Sequence, residues 1–241
     1  MNLRLVTWNM AFWSHKTYLE EAWKYLFEEI DADIILLQES QPTQELKNDP
    51  NLLWFEIGGT RDWGTGIYSK KSPIRQLPIK SDYTGSLLAG EVRINDTVQL
   101  TIISLYGFLE PVGNTRYAIT TLHRMLSDLT GILNGHEGGN RNIILGGDLN
   151  ASIQCDMYDG GKAHQIFFQR LEDFKLKNCY APFFGDFVQT HRHNKSDKPW
   201  QNDYFFISTT LSKNLKSCTV IDNEKVRRLS DHNPVLIELE L

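Results

Sequence analysis

Long apolar runs and helically spaced apolar positions alternate along the chain. Over residues 19–30 the apolar side chains recur at helical spacing, which predicts an amphipathic helix that ends at Asp31. Residues 34–37 follow as an unbroken apolar run, which is typical of a strand buried on both faces, and residues 143–145 repeat this pattern. Sheets that are covered by helices on the outside are therefore expected.

Further segments extend this pattern. Helices are predicted near residues 119–133 and 166–174, and Asn95-Asp96 is a hairpin signal. Strands are predicted at residues 3–7, 64–69, 91–94, 98–105, 204–207 and 235–237. Because no internal repeat or linker-like segment interrupts them, we expect a single domain over residues 1–241. Its class is α/β, a four-layered α/β sandwich in which two packed mixed β-sheets are flanked by helices.

The composition is that of a soluble protein with a substantial core. Of 241 residues, 41% are hydrophobic and 23% are charged. The sequence shows no secretory signal and no apolar run near the roughly 20 residues that span a bilayer, so no membrane contact is expected. Three widely spaced cysteines, an odd number, favour reduced thiols and a cytoplasmic location over a disulfide framework.

The distribution of charge is more informative than its sum. A net charge of −5 argues against a general binder of polyanions. Two basic stretches precede acidic residues of the candidate site. Arg192, Lys195 and Lys198 lie just before Asp203, and Lys225, Arg227 and Arg228 lie just before Asp231. They predict a positive rim that a phosphate backbone would approach, although solvated loop charges explain them equally well.

Five polar segments stand at the edges of short apolar runs, at residues 8–9, 38–39, 146–150, 201–204 and 230–232. Acids, amides and a histidine at strand ends can converge in one cleft, where they would bind a divalent metal and a phosphate. The combination predicts hydrolysis of a phosphoester.

Three of these segments indicate specific chemistry. Asp148 and Asn150 follow a glycine pair, and they offer a carboxylate that orients water and an amide that holds a phosphate oxygen. Asp231 and His232 precede the last strand, where an imidazolium can stabilise developing charge. Glu39 ends a buried strand and is a hard oxygen ligand of the kind that Mg²⁺ prefers. Taken singly, each is also explained by a turn or a solvent-exposed strand end.

In their order, these motifs resemble the endonuclease/exonuclease/phosphatase superfamily, which includes the pancreatic-deoxyribonuclease-like nucleases and the apurinic endonucleases. The resemblance covers nearly the whole chain and implies a deoxyribonuclease-like fold. The motifs that carry it are Thr7-Trp8-Asn9, Leu37-Gln38-Glu39, Gly66-Ile67-Tyr68-Ser69, Gly147-Asp148-Leu149-Asn150, Asp203-Tyr204 and Ser230-Asp231-His232.

The resemblance also implies a metal site and a group that acts on water. Glu39 would be the principal ligand of Mg²⁺, with Mn²⁺ as a possible substitute, and Asn9 and Asp231 would assist it. Asp148 would align or activate the attacking water. The metal would neutralise phosphate charge and assist the leaving oxygen.

Other residues would hold the phosphate. Asn150 and Asn9 would contact the scissile phosphate and its neighbours, as would His232, oriented by Asp203. Tyr106 stands where apurinic endonucleases carry a tyrosine that contacts the phosphate. Those enzymes usually have a lysine where this chain has Gln41, which argues against abasic-site repair.

Arg116, Arg192 and Trp200 are expected to contact the substrate, with Arg116 on the helix after Tyr106. Trp63 and His193 are weaker candidates for backbone contact or base stacking. For both tryptophans, partial burial in the core is the alternative.

We expect a divalent-metal-dependent phosphodiesterase, a nuclease that hydrolyses DNA or RNA by in-line attack of an activated water. Its partner would be nucleic acid, with no membrane and no obligate protein partner. One alternative is a Mg²⁺-dependent phosphatase acting on a small phosphorylated molecule, such as an inositol phosphate or a nucleotide. Another is a catalytically inactive binding module, although such a module has no need of the full set of polar site residues.

Overall fold

The strands form two six-stranded sheets and one short hairpin. The structure, a computed structural model, describes residues 1–112, 115–134 and 142–241. The first sheet contains, in spatial order, β13 (Leu215–Val220), β14 (Val235–Glu240), β1 (Asn2–Asn9), β2 (Ile34–Ser40), β4 (Arg61–Ser69) and β3 (Leu52–Gly58). The second contains β11 (Leu176–Asn178), β12 (Asp203–Ser208), β10 (Ile143–Asp148), β7 (Gln99–Leu105), β6 (Leu87–Arg93) and β5 (Ile74–Gln76). The hairpin pairs β8 (Glu110–Val112) with β9 (Thr115–Tyr117).

Short helices connect these strands. They are α1 (Phe12–His15), α2 (Leu19–Lys24), α3 (Ile119–Asp128), α4 (Thr130–Asn134), α5 (Ile153–Asp159), α6 (Ala163–Asp173), α7 (Thr209–Ser212) and α8 (Glu224–Leu229). A 3₁₀ turn at Lys16–Tyr18 precedes α2, and a π-helical segment at Tyr25–Ile30 continues it. Within the described residues, no helix combines the length and the apolar character needed to cross a lipid bilayer.

The alternation of side chains along the central strands produces four layers. Leu5 and Ile34 point into the core between the two sheets, where they pack with residues of the second sheet such as Ile102. Their neighbours Val6 and Ile35 point outward, into a separate cluster beneath α2 and α8. The outer face of the second sheet packs in the same way against α3 and α6. The predicted helix–sheet–sheet–helix sandwich is therefore confirmed.

Each sheet is mixed, as the sequence predicts. β1 runs parallel to β2, and β7 runs parallel to β10, while the other neighbouring strands are antiparallel. Parallel neighbours in the middle of a covered sheet are buried on both faces, which explains the unbroken apolar runs of β2 and β10. The hairpin predicted at Asn95-Asp96 joins β6 to β7.

The structure differs from the predicted elements in three respects. The helix over residues 19–30 forms, but its second half is π-helical, and it ends at Asp31 in the left-handed conformation. The helix expected over residues 119–133 is interrupted at Leu129, between α3 and α4. Helices α1, α5, α7 and α8, the β8–β9 hairpin and the edge strands β3, β5, β11 and β13 are additional, and these short or half-exposed elements lack a strong hydrophobic pattern.

Strand direction and register bring the polar segments to one end of both sheets. β1 and β2 run parallel and end together, with Asn9 opposite Gln38. β10 ends at Asp148 directly opposite Asp203, the first residue of the antiparallel β12. β14 runs antiparallel to β1, so the turn that precedes it, with His232, lies beside the end of β1. The segments that carry Asn9, Asp148, Asp203 and His232, although distant in sequence, are therefore close together in space.

Gly147 has a backbone conformation and an environment that only glycine tolerates. Its φ is +147°, and a Cβ atom there would lie 1.8 Å from the carbonyl oxygen of Leu105 on β7. Gly131, in α4, is the opposite case, since nothing lies within 4 Å of an added Cβ.

We predict that Gly147→Ala lowers the free energy of unfolding by roughly 2–4 kcal/mol, because backbone strain and a steric clash add. Gly131→Ala, the matched control, should raise it by about 0.5–1 kcal/mol, because alanine is the better helix former. Urea unfolding followed by circular dichroism measures both. Equal stability of the two variants would contradict the geometry at Gly147.

Candidate active site

His232 lies between two carboxylates at the centre of the polar cluster. Its Nδ1 is 2.8 Å from Oδ2 of Asp203, and its Nε2 is 3.9 Å from Oδ2 of Asp148. All three side chains are buried. The indole N–H of Trp8 donates to the carbonyl oxygen of His232, and the Ser230 hydroxyl accepts from its N–H, so the histidine backbone is fixed as well.

These contacts shift the pKa values of the cluster. Burial opposes the charged form of His232, but the carboxylates of Asp203 and Asp148 outweigh it and raise the pKa of His232 to about 10. Burial raises the pKa of Asp148 to about 7, against the attraction of His232. At neutral pH the imidazole is therefore charged, while Asp148 is close to the point where it gains or loses a proton.

Asp148 is held in place by amide donors. The side chains of Asn9 and Asn150 both donate to its Oδ2, at 2.8 and 3.1 Å, and the backbone N–H of Asn150 donates to its Oδ1 at 2.8 Å. The amide oxygen of Asn9 accepts from the N–H of Ala11, which fixes the orientation of the amide. In this arrangement the amide nitrogen of Asn9 faces Asp148, while its oxygen faces the backbone of Ala11. The predicted role of Asn9 as a metal ligand stays a prediction.

Three residues around the site have left-handed backbones although none is glycine. They are Ala11 with φ +46°, Glu39 with φ +42° and Asn150 with φ +45°. Such conformations cost about 1–3 kcal/mol each and persist where surrounding contacts enforce them. At Glu39 the turn coincides with a register shift between β2 and β4. The strain therefore lies near the ends of β1, β2 and β10, next to the candidate site residues.

Glu39 and Tyr106 form a second buried pair. The phenol of Tyr106 donates to Oε1 of Glu39 at 2.8 Å, and the ring of Trp63 packs edge-on against Tyr106. Burial raises the pKa of Glu39 and raises that of Tyr106 well above its usual value, so the phenol keeps its proton. Trp63 is buried in this contact, in agreement with the alternative of burial in the core.

The surroundings of Glu39 fit a hard divalent cation. In the described part of the chain, no lysine or arginine forms an ion pair with this buried carboxylate, and Asp231 adds a second negative charge nearby. The charge of His232 attracts Glu39, but burial outweighs this attraction, and a metal ion would offset the remaining cost. Carboxylate oxygens completed by water and phosphate are the usual ligands of Mg²⁺.

Two other groups of described residues bring possible metal-binding atoms within 4.8 Å of one another. They are His191, Asp231 and His232, and Asp148, Asp203 and His232. Both need His232, which already acts as a cation next to Asp203. In the first group, moreover, the two imidazoles are stacked, with 4.3 Å between ring centroids and 19° between planes. In-plane lone pairs of stacked rings run nearly parallel and do not converge on one ion, so the first group is poorly arranged to bind a metal through both imidazoles.

His191 is a site residue that the sequence reasoning missed. Its ring covers that of His232, and its Nε2 lies 3.9 Å from Oδ2 of Asp231. Burial, together with the charge of His232, lowers the pKa of His191 to about 2, so its ring is neutral. The signal available was the pair of histidines two residues apart, His191 and His193, shortly before Trp200.

Of the predicted substrate contacts beyond Asn9 and Asn150, Trp200 borders the site, as far as the described side chains show. Arg192 bonds through its guanidinium to Asn233 and to the carbonyl oxygen of Ser230, so we assign it to holding the turn at residues 230–233. Arg116 lies in β9 rather than on the following helix, which begins at Ile119, and its side chain is outside the described residues. Trp200 lines a cleft beside Asn150.

The second basic stretch does not form the positive rim that the sequence predicts. Lys225 pairs with Glu29, Arg227 with Asp222, and Arg228 with Glu21. Each of these cations is thereby neutralised by an acid. Of the first stretch, Lys198 lies over the ring of Tyr158, near Trp200.

This fold, with a charged histidine beside a buried aspartate and a buried glutamate suited to a metal ion, is typical of enzymes that hydrolyse phosphoric esters. The chain belongs to the Endonuclease/Exonuclease/phosphatase family, whose model matches residues 6–232. Endonucleases, exonucleases and phosphatases all act on phosphoric esters, so the chain is a hydrolase of this kind. No curated protein matches the chain by sequence.

Several solved structures share the fold. An AP endonuclease from Leishmania major has a TM-score of 0.72 at 15% identity, covering 100% of this chain and 88% of its own. A 3′ phosphatase from Neisseria, bound to a product DNA hairpin, has a TM-score of 0.74 at 18% identity, covering 99% and 100%. An AP endonuclease from Archaeoglobus fulgidus has a TM-score of 0.74 at 14% identity, also covering 99% and 100%. At these identities the likeness shows the shared fold.

We predict that Asp203→Asn lowers the pKa of His232 in metal-free protein, because the attraction that outweighs burial is reduced. The folded-state pKa of about 10 lies above the ordinary value of about 6.5. The stability contributed by this proton is therefore complete below about pH 6.5 and is lost as the pH rises through about 10. In the variant this contribution should be smaller, and its loss should be complete at a lower pH.

Nitrogen NMR of the imidazole, with EDTA present, follows this titration directly. Asp82→Asn is the control, since Asp82 is an exposed acid that makes no hydrogen bond or ion pair with the described residues. A His232 titration that is unchanged by Asp203→Asn would contradict the assigned pairing.

Proposed function

We propose that the chain is a divalent-metal-dependent nuclease that hydrolyses phosphodiester bonds in DNA or RNA by in-line attack of an activated water. The observation that carries the proposal is the position of His232. One of its ring nitrogens is held by Asp203, and the other faces Asp148 across 3.9 Å. A charged donor and a proton acceptor thus face the same small region, as attack on a phosphate requires.

Asp148 is the proposed acceptor of the proton of water. A general base is most effective when its pKa lies near the working pH, and burial raises the pKa of Asp148 to about 7. The donors from Asn9 and Asn150 occupy part of its oxygen lone pairs and fix the direction of the rest. A water bound to the remaining lone pair would be aligned for attack.

His232 is the proposed phosphate contact. Its Nε2–H would donate to a phosphoryl oxygen, and its charge would stabilise the negative charge that develops during the reaction. Asp203 holds the proton on Nδ1, which keeps Nε2–H as a donor toward the site. Asn150 and Asn9 are proposed to hold oxygens of the same phosphate.

Glu39 and Asp231 would hold Mg²⁺ or Mn²⁺, with Asn9 as a further candidate ligand. Bound there, the ion would supply neutralisation of phosphate charge and assistance to the leaving oxygen. Tyr106 positions Glu39 by donating to its Oε1. We therefore propose that Tyr106 acts through Glu39, in addition to the phosphate contact that the sequence suggests.

The names of the structural neighbours favour DNA as substrate, since two are AP endonucleases and one phosphatase is bound to a DNA hairpin. A phosphatase acting on a small molecule is the rival, with the same catalytic groups. The single-domain organisation, the cytoplasmic location and the lack of an obligate protein partner stay predictions.

We predict that Asp148→Asn and His232→Gln each reduce metal-dependent cleavage by about 10²–10⁴-fold, the range typical of general acid–base groups. Glu20→Gln, a change of an exposed acid on α2, is the control and should leave the rate unchanged. The measurement is cleavage of labelled single- and double-stranded DNA and RNA with Mg²⁺, Mn²⁺ or EDTA. A generic phosphodiester and a phosphomonoester are tested beside them.

The outcomes separate the two candidate functions. Cleavage of a polymer that requires the metal and is lost in both variants supports the nuclease and identifies its polymer. Hydrolysis of the monoester with the polymers left intact would replace the nuclease by the phosphatase. Binding of nucleic acid without any metal-dependent turnover would support the alternative of a catalytically inactive binding module.

A further inference from the structure

A cavity of about 320 Å³ lies on the outer face of the second sheet, between β12, α6 and residues 180–187. Tyr204 and Phe206 of β12 line it and pack against Phe168 of α6. Because side chains alternate along a strand, Asp203 points to the opposite face, toward His232. The cavity is therefore separate from the candidate active site. Its volume falls in the range of about 300–1,000 Å³ that is usual for small-molecule sites.

A continuous set of aromatic rings forms the wall of this cavity. The ring of Tyr180 packs against that of Phe184, with centroids 5.6 Å apart, and against that of Tyr204, with centroids 5.8 Å apart. The hydroxyl of Tyr180 donates to the carbonyl oxygen of Asp203, and that of Tyr204 donates to the carbonyl oxygen of Gln201. Both phenols are thereby fixed before any ligand binds. A fixed aromatic wall loses little entropy when a flat ring packs on it.

The inner end of the cavity contains amide donors that the protein leaves unused. Gln201 lines the cavity and is only 4% exposed. Its Oε1 accepts from the N–H of Val188 at 3.0 Å, while its Nε2 makes no hydrogen bond with the described residues. Asn178 is arranged in the same way, since its Oδ1 accepts from the N–H of Tyr180 and its Nδ2 has no partner among the described residues. A ligand with an acceptor atom at this end would satisfy a buried donor that is otherwise costly.

The outer end of the cavity is negatively charged. Glu172 and Asp186 line it there, and both are exposed to solvent. Neither forms an ion pair with a described cation. No lysine or arginine occurs among the described lining residues. Two carboxylates would attract a cation and repel a phosphate group, and the aromatic rings also favour a cation.

We propose that this cavity binds a small, flat aromatic molecule with a hydrogen-bond acceptor at its inner end and a positively charged group at its outer end. The ring packs against the aromatic wall, Gln201 donates to the acceptor, and Glu172 and Asp186 attract the cation. Phosphorylated molecules are disfavoured by the same two carboxylates. The site is distinct from the one that would bind the scissile phosphate, and the inference stands without the proposed nuclease activity.

Three matched probes test the proposal at neutral pH. The first, 4-(aminomethyl)pyridine, has both a ring acceptor and an ammonium group, whereas benzylamine lacks the acceptor and 4-methylpyridine lacks the ammonium group. Each is titrated into isotope-labelled protein, and NMR follows the backbone amides of Ala181 and Gly185, which line the cavity. The first probe should bind with a dissociation constant on the order of 1 mM, as expected for so small a ligand. The other two should bind about 3-fold or more weakly, because each loses one polar contact.

Two pairs of substitutions locate the attraction of the cation. Glu172→Gln with Asp186→Asn should weaken both ammonium probes about 3-fold or more and leave 4-methylpyridine unchanged. Glu20→Gln with Asp173→Asn is the matched control, because it removes the same charge from exposed acids outside the cavity and should keep the wild-type affinities.

Three results would overturn the site. They are amides of Ala181 and Gly185 that respond to none of the probes, equal affinity for all three probes, and ammonium-probe affinities that change equally in the two pairs of variants. Because binding is read without any cleavage assay, none of these results bears on the proposed nuclease.

Discussion

The burial of Asp148, His232 and Asp203 together is the constraint on which the rest of the site depends. Charged groups removed from water are costly unless they are paired, and here a single imidazolium offsets two carboxylates. Glu39 and Asp231 add further negative charge close by. Burial raises the pKa values of Glu39 and Asp148, and the local excess of negative charge creates a demand for a cation, which a divalent metal ion would meet.

Neutral hydrogen bonds hold this charged cluster together without adding to its charge. The hydroxyl of Thr190 accepts from the N–H groups of Asn202 and Asp203, and the hydroxyl of Ser230 donates to the carbonyl oxygen of Asn9. Gln38 accepts from Thr7 in its own sheet and donates to Ser104 in the opposite sheet. The two sheets are thus fixed relative to each other at the end where the proposed catalytic residues meet.

The layers of the fold and the strand-end residues could be predicted from sequence, because doubly buried strands leave unbroken apolar runs that end in unusual polar residues. Glu39 and Asp148 stand out for this reason. The order of the strands in each sheet determines which of these side chains come together. The local pattern of apolar residues does not encode that order. His191 was missed because its role comes from stacking on His232, 41 residues later, and Arg192 looked like a surface cation until its partners in the 230–233 turn were known.

A double-mutant cycle tests whether Asp203 contributes to catalysis through His232. Single-turnover cleavage rates would be measured at saturating metal for the wild type, Asp203→Asn, His232→Gln and the double variant. If Asp203 acts through His232, Asp203→Asn slows the wild type strongly and has little further effect once His232 is replaced. Independent effects that multiply in the double variant would contradict it.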